Sequence, residues 1–580
     1  MTNVRHKSGH HAVAMAILTA AALSGCMGEA PSEAAVADWG DENYYPEAGG
    51  AYASLTALVG TCTFNSASGV MAVTGTAGTA QTIIVSRRPV DSAILINGAT
   101  CGATPATATS LKILNVVSTT GDQVVILDFL NGLFGLGTAT VRGINVTLGT
   151  GTDALRIRGS AAIDTMTFAA AGISTDTGAN RDIDFVADIE SFSVSLAGGA
   201  DVFVGTGFAM LVTVFGGDGN DNLTGTAQAD VLNGGDGDDT FTGGLGADVM
   251  NGDAGNDTFL ETAVTSGADT FNGGAGTADH VSYALRTAAI TVTIDAVADD
   301  GLTGEADTVA VDIEIVTGGT AADSLTGGAG AETLNGGLED DTLAGGLGAD
   351  ILNGDGGDDT FDEGSVTSGG DIFNGGVGTD TVDYSARVAV LTVTMDGVAG
   401  LDGLTGELDN VKADVENIIG GSANDNITGN VSANVIDGGL GDDTLSGGDG
   451  NDTFLQGASD DGSDTLNGGL GSDLVNYSGR SAALTVTMDG VAGNDGEAGE
   501  ADNVKVDVED IVGGSAINTI TGNLSANSIT GGAADDVLSG GAGDDTIDGA
   551  GGDNTLTCGT GDDIAFNEGA MGSRASDCEL

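Results

Sequence analysis

The sequence predicts an all-β fold: a parallel β-solenoid built from nonapeptide repeats, preceded by an irregular β-helix-like or β-rich N-terminal region. Three observations predict it. Cut every nine residues, 216–260 reads GGDGNDNLT GTAQADVLN GGDGDDTFT GGLGADVMN GDAGNDTFL, with glycine first, aspartate sixth and an apolar residue eighth. Glycine supplies 101 of 580 residues while aromatics are only 4%, which suits a thin, repetitive core. The chain holds 85 acidic and 15 basic residues, net −70. The acids fall at fixed phase in a chain that is 40% hydrophobic, so disorder does not account for them. Such a surface repels nucleic acid and anionic lipid and attracts cations.

Taken in chain order, residues 1–25 read as an address. Arg5 and Lys7 precede the apolar run Ala12–Leu23, which is too short to span a bilayer. Leu23-Ser24-Gly25-Cys26 resembles the lipobox of bacterial lipoproteins. The resemblance implies removal of a signal peptide, 1–25, and acylation of Cys26 as a membrane anchor. Met27, in place of the aspartate that retains such proteins at the inner membrane, implies the outer membrane. A plain secretory signal is the alternative. Residues 26–53, with Pro31, Trp39 and Pro46, read as an acidic tether.

Residues 54–215 form the β-rich N-terminal domain. INVTLGTGTDALRIRG (144–159) resembles FSVSLAGGADVFVGTG (192–207), which suggests an irregular parallel β-helix. An immunoglobulin-like sandwich is the alternative. An exported chain meets an oxidising compartment, so Cys62 with Cys101 and Cys558 with Cys578 are candidate disulfides, other pairings remaining open.

From Gly216 the chain is periodic at two scales. Runs of five, five and four nonapeptides are each followed by a spacer of 57 residues (261–317, 363–419, 456–512), and a last run of six fills 513–566. The units are 216–317, 318–419, 420–512 and 513–580, the last with a C-terminal cap. The spacers are near copies. Their TVT and VDIEIV stretches read as strands. Arg286, Arg387 and Arg480 recur at one position and Glu305, Glu407 and Glu500 at another. A structural ion pair is the modest reading, a ligand site the sharper one.

Glycines at positions 1, 2 and often 4 permit tight turns and close packing. The last three residues, such as Asn222-Leu223-Thr224, suit one short strand with one inward side chain. Two units then make one coil of a flat solenoid, with coils about 4.8 Å apart. Units n and n+2 stack their turns, and so their carboxylates. Ionised aspartates in such a column oppose folding unless a cation lies among them. Carboxylates with backbone carbonyls form an all-oxygen, flexible donor set, which suits calcium. Metal uptake and folding are then coupled.

GGDGNDNLT, GGDGDDTFT, GGLGADVMN and GGAGDDTID resemble the GGxGxDxUx nonapeptide (U a large apolar residue) of the RTX, haemolysin-type calcium-binding repeats. The resemblance implies a right-handed parallel β-roll with multiple calcium ions between turns. It implies as ligands the turn carbonyls and the sixth-position aspartates. These are Asp221, Asp230, Asp239, Asp248, Asp257; Asp323, Asp341, Asp350, Asp359; Asp425, Asp443, Asp452; and Asp536, Asp545, Asp563. Five units depart, with Glu332, Asn434, Asn518, Asn527 and Asn554 in that place. Asp269, Asp371 and Asp464 keep the phase inside the spacers. The family's one-step secretion route is not assumed for this chain, because Leu23–Cys26 resembles a lipobox and the Cys558–Cys578 segment looks like a cap.

Catalytic motifs are missing. HExxH, GxSxG and a phosphate loop are absent from the sequence. His6, His10 and His11 leave with the signal peptide, and His280 alone remains. The expectation is no enzyme. It is an exported, lipid-anchored, calcium-binding solenoid of the cell surface or outer membrane, or the extracellular space, with a structural, adhesive or matrix role. Its expected partners are calcium, the membrane through the lipid on Cys26, and a cell-surface polysaccharide or protein, with no nucleic acid. Epimerases and lyases that act on polysaccharides also carry RTX modules, so a polysaccharide-modifying enzyme is the alternative, with Arg156 and Arg158 set against an acidic sugar.

Overall fold

One inward side chain per nine residues fixes the architecture. Leu223, Leu232, Phe241, Met250 and Phe259 are all fully buried. Asn222–Thr224 pairs in parallel with Thr240–Thr242, setting Leu223 beside Phe241. Val231–Asp236 pairs with Val249–Ala254, setting Leu232 beside Met250. Alternate units therefore stack, and two consecutive units complete one coil with a strand on each of two faces. Strands on one face hold three residues. Those on the other run on through the glycine pair to six. Each buried side chain contributes roughly 1.5–3 kcal/mol, so one coil cannot hold itself and stability comes from stacking.

The computed structural model describes residues 189–566 apart from 399 and 401, segments of 60–185, and Ser573, Arg574 and Cys578. The signal peptide, Cys26 and the tether lie outside the described residues. Among the described residues there is no helix, and the strands are overwhelmingly parallel.

The solenoid begins well before the repeats. On one face Val70–Gly75, Ile113–Val117, Ile144–Thr147 and Ile183–Phe185 follow one another in parallel. On the other, Gln81–Arg87, Gln123–Asp128, Ala154–Arg158 and Ser191–Gly198 lead directly into Val212–Asp218. The N-terminal part is thus β-helical and not a sandwich. The look-alike segments 144–159 and 192–207 do stack, Ala154–Arg158 against Ser191–Ser195, but not in the register of their likeness. Ile144 lies beside Ile183, and Phe192 beside Leu155, in different sheets. Their likeness reflects a shared strand-turn-strand grammar on opposite faces.

Each spacer exchanges one sheet. At the first, the 11-stranded sheet ends on Thr308–Val309, laid against Thr270–Ala275. Ile290–Thr293 opens a 14-stranded sheet by pairing with Ser324–Thr326, with Gly301–Leu302 antiparallel on its outer edge. The 17-stranded sheet passes through, from His280–Ser282 to Ile315–Thr317 to Thr333–Leu338. At the second spacer that sheet ends on Asn410–Val411 while Thr392–Thr394 opens a five-stranded one. At the third, Asn503–Val504 ends the five-stranded sheet and Leu484–Thr487 opens a six-stranded one. The VDIEIV stretch is therefore not one strand. Val311 and Asp312 form a turn, and Thr308–Val309 and Ile315–Thr317 belong to different sheets. The chain must cross the coil there. At the spacers the ends of the sheets are two or three residues long, which limits exposed edge.

Two disulfides lie near the ends. Cys62 is bonded to Cys101 and Cys558 to Cys578, with Cα–Cα distances of 5.6 and 5.2 Å.

Candidate metal centre

The first glycine of each unit has no room for a side chain. A Cβ on Gly216 would stand 2.1 Å from Oδ2 of Asp221, in its own turn, and 2.6 Å from the carbonyl oxygen of Gly234, in the next coil. At Gly234 the same atoms, from Asp239 and Gly252, would be at 2.0 and 2.9 Å. At Gly354, Asp359 and Gly375 give 2.2 and 2.6 Å. These first glycines thus leave a cradle where one carboxylate oxygen and one main-chain carbonyl converge. Gly217 (φ +113°) adds close approach, since a Cβ there would meet the carbonyl oxygen of Ala197 at 2.0 Å.

The two carboxylate oxygens have different fates. The N–H of Asp221 donates to Oδ1 of Asp239 at 2.7 Å, and the N–H of Asp239 to Oδ1 of Asp257 at 2.8 Å. The same ladder joins Asp230 to Asp248, Asp323 to Asp341 to Asp359, Asp425 to Asp443, and Asp545 to Asp563. Oδ1 is therefore a structural acceptor. Oδ2 is buried with no hydrogen-bond partner in Asp221, Asp239, Asp248, Asp257, Asp341, Asp350, Asp359, Asp443, Asp452, Asp536, Asp545 and Asp563. Glu332 likewise has a bare Oε2.

The other three aspartates differ. Oδ2 of Asp230, Asp323 and Asp425 accepts from the second-position N–H of its own turn, at 2.5, 2.6 and 2.9 Å, from Thr226, Gly319 and Gly421. Asn434 and Asn527 make the same closure, with Asn430 and Asn523 donating at 2.8 Å. In Asp323 and Asp425 the other oxygen, Oδ1, accepts from Ile290 and Leu391, where a new sheet opens, at 2.9 and 2.8 Å.

Burial sets the electrostatics. It pushes Asp221 and Asp257 up to about 6, Asp239, Asp248 and Asp341 to about 7, and Asp350 and Asp443 to about 8. Hydrogen bonds from the preceding coil oppose this. In Asp239, Asp248, Asp341, Asp350 and Asp443 charge from neighbouring carboxylates adds a smaller rise. Desolvation of a half-satisfied carboxylate, more than mutual repulsion, is what a cation must offset. Among the described residues no three His, Cys, Asp or Glu side chains converge to hold a metal. Each turn brings one carboxylate, and the remaining donors are carbonyls. That all-oxygen set fits calcium and not zinc. Bound calcium supplies the positive charge that Oδ2 lacks. The first glycine keeps the space open, and the ladder through Oδ1 fixes the carboxylate's direction.

The family model of the RTX calcium-binding nonapeptide repeat (4 copies) matches residues 215–250, 224–259, 312–343, 336–364, 419–454, 459–478, 512–547 and 530–565. The chain carries calcium-binding RTX repeats. No curated protein matches it.

The RTX geometry extends past the runs that the sequence marks out. Asp248 donates to Oδ1 of Asp269 at 2.7 Å and Asp350 to that of Asp371 at 2.7 Å, so the column continues into the spacers after an insertion that lengthens the offset from 18 to 21 residues. Asp279, Asp380 and Asp473 were missed by sequence reasoning. Each is fully buried with a bare Oδ2, and each shares a cradle with a carbonyl, of Asp312, Asp414 and Asp507. The signal was legible: GGVGTDTVD (375–383) and GGLGSDLVN (468–476) obey the RTX pattern, while GGAGTADHV (273–281) carries one extra residue.

Within the spacers Asp269, Asp371 and Asp464 pass the ladder on to Asp307, Asp409 and Asp502, and each spacer also holds a buried arginine. Arg286, fully buried, pairs with Glu305 at 2.7 Å and with Glu261 at 2.5 Å. Arg387 pairs with Glu407 at 3.0 Å and Glu363 at 2.5 Å, and Arg480 with Glu500 and Asp461. The second partners Glu261, Glu363 and Asp461 were not foreseen. Beside them the hydroxyls of Tyr283, Tyr384 and Tyr477 donate to Oδ2 of Asp307, Asp409 and Asp502 at 3.2, 3.3 and 3.0 Å. His280 is half-buried, with Nε2 2.9 Å from Oγ1 of Thr317, and burial lowers its pKa.

Proposed function

We propose that this is an exported, lipid-anchored protein of the cell surface whose RTX repeats form a calcium-stabilised β-solenoid with a structural, adhesive or matrix role and no catalysis of its own. The proposed calcium ligands are the sixth-position aspartates with a bare Oδ2, together with turn carbonyls. One observation carries the reading. The same buried carboxylate oxygen is left unpartnered coil after coil, beside a glycine that keeps the space in front of it empty. At neutral pH such an array is unfavourable until a divalent ion enters it. Extracellular modules bind calcium at roughly 10⁻⁴–10⁻³ M, so the fold is set to complete itself after export. Leu23-Ser24-Gly25-Cys26 supports the anchor. An acidic repeat array suits a partner at the cell surface, polysaccharide or protein.

The test is circular dichroism of the calcium-stripped protein during calcium titration, with magnesium as control. The expected result is a cooperative gain of strand signal with calcium and little with magnesium. Full strand content before calcium is added, with no uptake afterwards, would overturn the reading. The anchor is tested separately: Cys26→Ser should move the protein from membrane to soluble fraction. Turnover of alginate or pectin by the whole chain would instead establish the enzyme.

A further inference from the structure

At the end of each of the first three runs, the glycine due to open the next unit is replaced. Glu261, Glu363 and Gln456 directly follow Thr258–Leu260, Thr360–Asp362 and Thr453–Leu455. Their N–H groups donate to the carbonyls of Ser282, Asp383 and Asn476 in the next coil, at 3.0, 3.1 and 3.1 Å. Gly225, a first-position glycine, bonds the carbonyl of Thr242 in the same way at 2.9 Å. The three residues therefore occupy the glycine's place in the coil. A Cβ in that place points at the cradle: on Gly243 it would stand 2.6 Å from Oδ2 of Asp248. Here a long polar side chain enters instead.

The carboxylate it meets belongs to Asp269, Asp371 or Asp464, all buried. At the third junction Nε2 of Gln456 donates to Oδ2 of Asp464 at 3.2 Å, and that oxygen is satisfied. At the first two the side chain is a glutamate which, with Ser266 or Ser368, comes within hydrogen-bonding reach of the aspartate, yet no donor satisfies Oδ2 of Asp269 or Asp371 in good geometry. The arginine holds the glutamate and not the aspartate: Nη2 of Arg286 donates to Glu261, Ser266 and Glu305. Two apposed carboxylates and a bare oxygen call for a cation. At the third junction the amide of Gln456 satisfies the aspartate with a neutral group, its own Oε1 remaining buried without a partner.

We propose that Glu261 with Asp269, and Glu363 with Asp371, form two further calcium sites at the sheet-exchange junctions, and that Gln456 closes the third junction without metal. These sites differ from the nonapeptide type. Their turns, 264–272 and 366–374, lack the leading glycine pair, and each offers two side-chain carboxylates, one of them also paired with the buried arginine. The proposal rests on the calcium reading of the repeats.

Native mass spectrometry of the whole chain, stripped and then saturated with calcium, counts the bound ions. Glu261→Gln with Glu363→Gln copies the third junction at the other two, and should bind two fewer ions while keeping its strand signal. Gln456→Glu should bind one more. An unchanged count in the folded double variant overturns the proposal, the glutamate and aspartate then sharing a proton. If the double variant fails to fold, Gln456→Glu decides alone, and a count equal to wild type overturns it. Wild type that takes up no calcium would sink the proposed function as well, whereas uptake with unchanged variant counts sinks only these two sites.

Discussion

The N–H of Asp221 and Oδ1 of Asp239 lie 2.7 Å apart, one coil from each other, while Oδ2 of Asp239 is buried with no partner. One oxygen builds the ladder and the other awaits a charge. Burial holds Asp239 at about 7 and Asp350 and Asp443 at about 8, against an ordinary value of about 3.9. Between roughly pH 4 and 8 the calcium-free native chain therefore holds more protons than the unfolded one, and its stability falls as pH rises. Calcium competes with those protons, so less of it is needed at higher pH. Melts of stripped protein at pH 5 and 8.5 should rank the acid sample as the more stable. Calcium titrations at pH 6 and 8.5 should give the lower midpoint at 8.5. The opposite ranking in either experiment would refute the linkage.

Asp239→Asn separates the two oxygens. The amide keeps an acceptor for Asp221 and replaces a bare buried oxygen with a neutral group. Without calcium at pH 8 the variant should be more stable than wild type. In saturating calcium it should be less stable by about 1–3 kcal/mol. Asp323→Asn should show no such reversal. Its Oδ1 and Oδ2 already accept from Ile290 and Gly319, at 2.9 and 2.6 Å, so an amide nitrogen would face a donor. A loss of about 1–3 kcal/mol is expected with and without calcium. Paired thermal melts check both, and equal behaviour of the two variants would dissolve the distinction between open and closed turns.

How far the sequence was readable follows from which letters repeat. Asp221 and Leu223 were placed correctly because period nine converts directly into one turn, one inward side chain and stacking of alternate units. Asp380 and Asp473 were in plain view but shifted by a three-residue insertion, so a strict frame ended at residues 362 and 455 and passed over them. Glu261 looked like the first residue of a spacer, though it stands in the glycine's place. Asp230 and Asp239 carry the same letter at the same phase, yet one is closed by its own backbone and the other is bare. That difference depends on what the preceding coil presents, which no local pattern records. The exchange of sheets was hidden for the same reason, since a TVT strand that opens a sheet reads like one that continues it.

Gly234→Ala tests the cradle without touching a ligand. The methyl would stand 2.0 Å from Oδ2 of Asp239 and 2.9 Å from the carbonyl oxygen of Gly252. Glycine's conformational range is not at issue there, only its missing side chain. The variant should lose calcium uptake at that coil and melt lower in saturating calcium. Gly207→Ala is the control. Its φ is +88° with nothing within 4 Å of the new methyl, so strain of roughly 1–2 kcal/mol is expected with calcium stoichiometry unchanged. Equal calcium uptake by Gly234→Ala and wild type would remove the cradle from the account.

Arg286→Ala probes the junction where the 11-stranded sheet gives way to the 14-stranded one. The guanidinium is the buried counter-charge of Glu261 and Glu305, at 2.5 and 2.7 Å, and both carboxylates are sealed from water. Truncation leaves them unpaired, at a cost of about 3–5 kcal/mol. Calcium does not make this good at Glu305, whose Oε1 and Oε2 still accept from the N–H groups of Ser266 and Leu302. The expected outcome is local: the variant in saturating calcium should be cut by protease within 261–317 while the later runs stay resistant. Arg286→Lys should recover only part of the loss, because a single ammonium cannot reproduce the guanidinium's planar fork of donors. Wild-type resistance in Arg286→Ala would mean that the stacked strands, and not the buried ion pair, hold the exchange of sheets in place.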